Sequence, residues 1–373
     1  MKRALIGAVA TTTLALTSTG IASASVAWTI QRVPMPAGAA AGELVGISCP
    51  TATLCMAVGN AGGGAAAERW SGGAWSPGVL PLPAGAAFST LSGISCPDSG
   101  HCIAVGYYRN SFGSDDLLAE RWQFGTWKIQ KIPAPANGLL LSAVSCTSDT
   151  SCTAVGESAV GPADTTLAEH WDGSSWTVQP TPNPAGTTFS FLSGLSCPSA
   201  TSCTAVGFYI NSANAYQNLA EQWNGSTWSV RAISNPAGQP DAGLDAVSCT
   251  SPNSCTAVGT ASSLGMAAQW DGSTWSVRTI APPAGGTIVS LTGISCPSAA
   301  SCTAVGQLSS GSVKNRALAE RWNGSSWDKQ ETAQPAARQS LTAISCTASR
   351  TCTAVGRSGP PNVLQDQMMA EHE

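Results

Sequence analysis

LSAVSCTSDTSCTAVG (residues 141–156) and, after a variable run, LAEHWDGSSW (167–176) make up one unit that the rest of the chain copies. The first half recurs six more times and the W-x4-W half five more times in complete form, at a spacing of about 50 residues. Recurrence on this scale marks a repeat architecture, in which each unit buries its apolar faces against its neighbours. The unit divides into four short runs. The first ends in Ser-Cys, as in Leu91 to Cys96, and the second follows five loop residues later, as in Cys102 to Gly106. Both alternate, carry β-branched residues and are too short for helices. The third is L-A-E-R-W, ending at Trp122 in the second copy, and a D-G-S-S or N-G-S-S turn then leads to a fourth, W-x-V. Asp-Gly and Asn-Gly are the residues a tight hairpin needs for positive φ.

Four antiparallel strands in this length is the size of a propeller blade. The predicted fold is therefore all-β: a seven-bladed β-propeller over residues 28–373, with four-stranded antiparallel blades starting near residues 44, 91, 141, 192, 244, 291 and 341. The last copy stops at Met369 to Glu373, a third strand without a fourth. Residues 28–33, beginning Trp28-Thr29-Ile30, match the missing strand, so the N-terminal strand is expected to complete blade seven and close the ring.

Residues 1–27 have a charged start, an apolar middle and a small-residue exit, which predicts a secretory signal peptide cut after Ala24 or Ala27. The mature chain is then expected outside the cell, off the membrane and monomeric. Charged residues are 10% of the chain and the net charge is −4, with no basic run, so no nucleic-acid footprint exists. Fourteen cysteines fall into seven C-x5-C pairs: Cys49 with Cys55, Cys96 with Cys102, Cys146 with Cys152, Cys197 with Cys203, Cys249 with Cys255, Cys296 with Cys302 and Cys346 with Cys352. Strict pairing in an exported chain predicts local disulfides. Zinc would need ligands from two places at once, and with three histidines in the chain no metal and no cofactor is expected.

The order L-x-x-[IV]-S, A-V-G, then D-G or N-G followed by Trp resembles the short-repeat propellers of the BNR (Asp-box) and photosystem-assembly-factor type. The spacing is similar to that of kelch repeats. The resemblance covers essentially the whole mature chain and implies the fold alone.

A feature present in every blade reads as scaffold, because a site needs different groups in different blades. The serines before each first cysteine are equivalent and no histidine relates to them, so they are read as structural. Glu68, Glu120, Glu169, Glu221, Glu320 and Glu371 share one third-strand position, with Ala268 in blade five, and are expected to tie to backbone or to a neighbouring blade. The Trp pairs read as packing. Variation lies in the loops between second and third strands, where Gly59 to Trp70 spans 11 residues and Gly106 to Trp122 spans 16. The longer loops of blades two to four hold Tyr107, Tyr108, Arg109, Asp115 and Asp116, then Glu157 and Asp164, then Tyr209 and Tyr216. Aromatic rings beside carboxylates on rigidly held loops suit carbohydrate or protein ligands. These residues are the predicted binding surface of a non-enzymatic interaction module. An extracellular polysaccharide-active enzyme using a pair from Asp115, Asp116, Glu157 and Asp164 is the alternative, and a structural envelope protein is the third reading.

Overall fold

A computed structural model describes residues 28–133, 138–160, 163–283, 286–310, 313–334, 336, 338–360 and 366–373. The predicted signal segment, residues 1–27, lies outside them. The chain is all-β and is built of repeated four-stranded antiparallel sheets. The third unit is representative, with strands Gly138–Ser148, Ser151–Val160, Ala163–Trp171 and Trp176–Gln179 paired in sequence order. A single parallel pairing, Asp164 with Phe189, joins it to the fourth unit. The seventh unit takes Arg338–Ala348, Thr351–Gly359 and Gln367–His372 from the C-terminal end and Thr29–Arg32 from the other, with Ile30 opposite Glu371.

Period-two alternation explains how the units pack. In C-x-A-V-G, the Ala and Val side chains leave opposite faces of the second strand. Ala104 joins a cluster with Val58 and Ala67 of the unit before, while Val105 joins one with Leu141 and Ala154 of the unit after. Seven such clusters exist, each shared by two consecutive units. The last couples Val355 and Ala370 of the seventh to Leu44 and Ala57 of the first. The glycine is required by close approach, since a Cβ on Gly207 would lie 1.9 Å from the Phe191 carbonyl oxygen.

All seven cysteine pairs are disulfide-bonded, with S–S distances of 2.04–2.09 Å. The serine before each first cysteine has a definite task. Its Oγ accepts the backbone N–H of the first cysteine in the next unit: Cys96 donates to Ser48, Cys146 to Ser95, Cys197 to Ser145, Cys249 to Ser196, Cys296 to Ser248 and Cys346 to Ser295. Cys49 donates to Ser345, which carries the series from the seventh unit back to the first. The distances are 2.9–3.0 Å throughout.

The repeated glutamates only partly meet the expectation made for them. Glu68, Glu120, Glu169, Glu221 and Glu371 are fully buried; Glu221 is held by the Thr166 side chain and Glu371 by the Ala333 backbone, whereas the carboxyl oxygens of Glu68, Glu120 and Glu169 have no hydrogen-bond partner among the described residues. Glu120 shares a sheet face with Leu118 and Trp122, which pack on the first unit, so its carboxyl is enclosed by apolar surface. Burial pushes Glu68, Glu120, Glu169 and Glu221 up to about 8, and Glu320 and Glu371 up to about 7, from an ordinary 4.5. They are carried as neutral acids.

Two outcomes follow for stability. Ser248→Ala leaves the part-buried Cys296 N–H unpaired, costing about 1–2 kcal/mol and lowering the melting temperature by roughly 2–4 °C in calorimetry. For the glutamates, the unfolded chain ionises near 4.5 while the folded chain holds its protons to about 7–8. Stability is then fully present below pH 4.5 and falls as pH rises through 8. The melting temperature at pH 5 should exceed that at pH 8.5, and Glu169→Gln should flatten the decline.

Candidate functional site

Each first strand carries a β-bulge after its leucine, between Leu44 and Gly46 in the first unit and at the equivalent place in the other six. A bulge re-aims the extra residue. Here the bulged residues are Val45, Ser92, Ser142, Ser193, Asp245, Thr292 and Thr342, and all seven line one cavity of ≈ 180 Å³. Where the residue is a hydroxyl, it can bind the next unit: Thr292 Oγ1 donates to the Leu341 carbonyl at 3.0 Å, and Ser142 and Thr342 do the same to Leu192 and Leu44. Asp245 breaks this pattern. An ionised carboxylate has no proton to donate, and Asp245 makes no hydrogen bond to any described residue. Burial pushes it up to about 7.

One step outward, the residue that follows A-V-G pairs across the hairpin with the residue two before the bulge. The seven pairs are all different: Asn60 with Glu43, Tyr107 with Thr90, Glu157 with Leu140, Phe208 with Phe191, Thr260 with Gly243, Gln307 with Ser290 and Arg357 with Ser340. Symmetry ends at this row, and two grooves open beside it. One, of ≈ 430 Å³, lies between the seventh and first units and is lined by Glu43, Asn60, Arg357 and Asp366. Its charges are paired: Arg357 meets Glu43 at 3.0 Å and Asp366 at 3.7 Å, and Arg338 also meets Asp366.

The other groove, of ≈ 350 Å³, lies between the fourth and fifth units. Phe208, Tyr216, Asp241, Asp245, Thr260, Ser262 and Ser290 line it. Phe208 stands at the centre of an aromatic group, with ring centroids 5.6 Å from Phe189, 5.8 Å from Phe191 and 5.4 Å from Tyr216. Tyr216 is 44% exposed at the open end. The Asp241 carboxylate accepts the Tyr216 backbone N–H at 3.0 Å and fixes that loop against the fifth unit. Thr260 and Ser290 hydroxyls meet at 3.2 Å.

The residues singled out from the sequence scatter around this rim. Tyr216 is in the groove. Tyr209 and Tyr108 are half-buried against the apolar clusters of their units, and Tyr107 stacks obliquely on Phe88 at 5.9 Å. Arg109 is committed to Asp115 through two bonds of 2.8 and 2.9 Å, and Asn110 holds Asp116 at 2.9 Å. Being adjacent in a strand, Asp115 and Asp116 leave opposite faces of the sheet, so they do not face each other. Glu157 and Asp164 do share a face, as diagonal partners in the register Glu157 with Thr166 and Asp164 with Ala159. Burial, and then the charge of Asp164, push Glu157 up to about 7. Asp241, Asp245, Thr260, Ser262 and Ser290 were not among the sequence candidates. The signal for Asp245 and Thr260 was present: when the seven copies are aligned, they sit at positions one past the Leu and one past A-V-G.

No group of three or more His, Cys, Asp and Glu among the described residues is arranged to hold a metal, and no helix among them is long and apolar enough to cross a membrane.

Replacing Asp245 by the threonine of its neighbours should stabilise the fold. Asp245→Thr supplies a hydroxyl for the Leu291 carbonyl and removes a half-buried, unpaired carboxylate, so the melting temperature is expected to rise by roughly 2–3 °C, about 1 kcal/mol.

No family model matches the chain, and no curated protein matches it. Solved structures do. A GH74 xyloglucanase from Xanthomonas campestris aligns at TM-score 0.54 and 13% identity over 91% of this chain, which spans 55% of that enzyme's length. A protein of unknown function from Dyadobacter fermentans aligns at TM-score 0.52 and 10% identity, over 93% of this chain and 98% of the other. SapL1 lectin in complex with α-methyl fucoside aligns at TM-score 0.46 and 13% identity, over 79% of this chain and 97% of the lectin. These likenesses are of fold, an all-β, propeller-like one, and none extends to the BNR, photosystem-assembly-factor or kelch classes by name.

Proposed function

We propose that this chain is a secreted, disulfide-stapled seven-bladed β-propeller acting as a non-enzymatic binding module for extracellular glycans, with the groove between the fourth and fifth units as its ligand site. The observation that carries this reading is the row after A-V-G. Seven units share the pattern C-x-A-V-G up to that glycine and then present seven different side chains, and one groove beside that row gathers an exposed tyrosine, two carboxylates and three hydroxyls. An aromatic ring offers a face to the apolar side of a sugar while carboxylates and hydroxyls take its hydroxyl hydrogens. That a xyloglucanase shares the fold makes polysaccharides the natural class to test. The cyclic series of Ser–Cys bonds supports ring closure, and the disulfides support an oxidising compartment.

Glu157 and Asp164 keep a second reading in view. A carboxyl whose titration burial raises to about 7, beside a second carboxyl on one face of a sheet, resembles the arrangement by which glycosidases divide acid from nucleophile or base.

One experiment separates these readings. The mature oxidised chain is incubated with insoluble polysaccharides and isolated cell walls, alongside Tyr216→Ala and Glu157→Gln. A binding module should be retained, should lose about ten-fold or more in affinity on Tyr216→Ala, and should release no soluble sugar. Release of reducing ends that stops with Glu157→Gln would establish the enzyme instead. Retention of none of the three proteins on any matrix would overturn the glycan reading.

A further inference from the structure

The rim is electrostatically lopsided. Glu157, Asp164, Asp241 and Asp245 all stand in its third to fifth units, and among the described residues none of the four has a cationic partner. Across the ring, Arg338 and Arg357 are ion-paired with Glu43 and Asp366. The groove between units four and five thus offers negative charge and no positive charge: its only titratable lining residues are Asp241, Asp245 and Tyr216.

Asp245 is the informative member. It occupies a bulge position where three other units place a hydroxyl that donates to a neighbouring carbonyl, so it forfeits that bond and sets a carboxylate at the boundary between the groove and the central cavity, which it lines together. Asp245 is half-buried, and a carboxylate partly withdrawn from water without a partner opposes folding. It becomes favourable when a cation arrives, because the charge pair then forms in a low-dielectric mouth. Its raised titration, about 7, is what an unpaired group in such a place shows.

Resting on the glycan reading above, we propose that this groove binds a cationic glycan, built of hexosamine units whose amines are free, with a sugar ring against Tyr216 and Phe208 and an ammonium beside Asp245 and Asp241. Each part of the lining then has a counterpart. The aromatic faces take the apolar side of the ring and attract the cation as well. Thr260, Ser262 and Ser290 face the sugar hydroxyls. A neutral glycan would leave Asp245 uncompensated, and a uronic-acid polymer would be repelled by both aspartates. A lysine side chain would satisfy the carboxylates but leave the three hydroxyls without partners.

The test is titration calorimetry of the whole mature chain at about pH 7, where amines are still largely protonated and Asp245 is within its own titration range, with three oligosaccharides of equal length: fully free-amine, fully N-acetylated, and neutral without nitrogen. A lysine-rich peptide is the fourth probe. The free-amine oligomer should bind at least about ten-fold tighter than the other two sugars, and its affinity should fall by a similar factor in about 0.5 M salt. Asp245→Asn should remove that preference while the melting temperature holds or rises, and Tyr216→Ala should weaken all sugar binding. Equal binding of the three sugars overturns the cationic assignment and leaves the glycan module intact. Binding of none of them, together with no retention on cell walls, removes both. A peptide that binds as tightly with the same dependence on Asp245 overturns the sugar part. Selectivity unchanged in Asp245→Asn overturns the site.

Discussion

A hydrogen bond from a cysteine N–H to the serine Oγ of the preceding unit, repeated seven times, is the constraint on which the rest of the structure depends. It crosses from sheet to sheet at every junction, whereas a backbone strand pairing does so only at Asp164 with Phe189 among the described residues. The residue that donates is also the residue held by the disulfide, so the hairpin presenting the N–H is stapled at the point of contact. Because Cys49 and Ser345 make the same bond as the other six pairs, every unit has a neighbour on both sides, and the strand Thr29–Arg32 adds its pairing to the last sheet at that same junction. The interfaces so aligned are filled by Ala, Val and Leu, small enough that the glycine of A-V-G can lie about one van der Waals contact closer to the adjacent carbonyl than any side chain would allow.

This regularity leaves a margin that the molecule spends in two ways. The buried glutamates take the third-strand position in six units, where Ala268 shows that a methyl group also fits. Their neutral form costs less than a charge would, yet Glu68, Glu120 and Glu169 leave both carboxyl oxygens without a partner among the described residues. The structure gives no local reason for choosing glutamate over alanine there. Asp245 is a different case, the one ionisable side chain among the seven bulge residues that line the cavity, and a charged departure from a repeated rule is where a site is to be sought.

Much of the fold was legible in the sequence because its signals are local and repeated. The C-x5-C spacing, the alternation in C-x-A-V-G and the Asp-Gly turns each act within a few residues, and Trp28 to Ile30 matched the strand missing after His372. The destination of the repeated polar groups was not legible. Ser48 recurs in all seven units and Glu68 in six, but one accepts a bond from the next unit and the other is sealed between apolar faces, a difference set by how consecutive sheets pack and not by any residue beside them. The candidate site was half legible for a related reason. Loop length and aromatic content pointed to Tyr216, whereas Asp115 drew attention by composition and proves to be Arg109's partner across a two-strand register. Asp241 and Asp245 belong to a different unit from Tyr216, and a groove assembled from two units has no signature in either one.

The place where symmetry ends also has a physical explanation. From the cysteine to the glycine, every residue of a second strand is fixed by contact with a neighbouring unit or by close approach to the first strand. The next residue is the first that is free of both demands, and it pairs with the residue two before the bulge that lines the central cavity. A side chain placed there meets its counterparts from adjoining units, as Thr260 meets Ser290 and Arg357 meets Glu43. Variation in that row is therefore cheap for the scaffold and concentrated in space. Glu157, Asp164, Asp241 and Asp245, without cationic partners among the described residues, fall in the third to fifth units, and Arg338 and Arg357 with their partners Glu43 and Asp366 fall at the junction of the seventh and first, so the charge left over is negative and confined to one side.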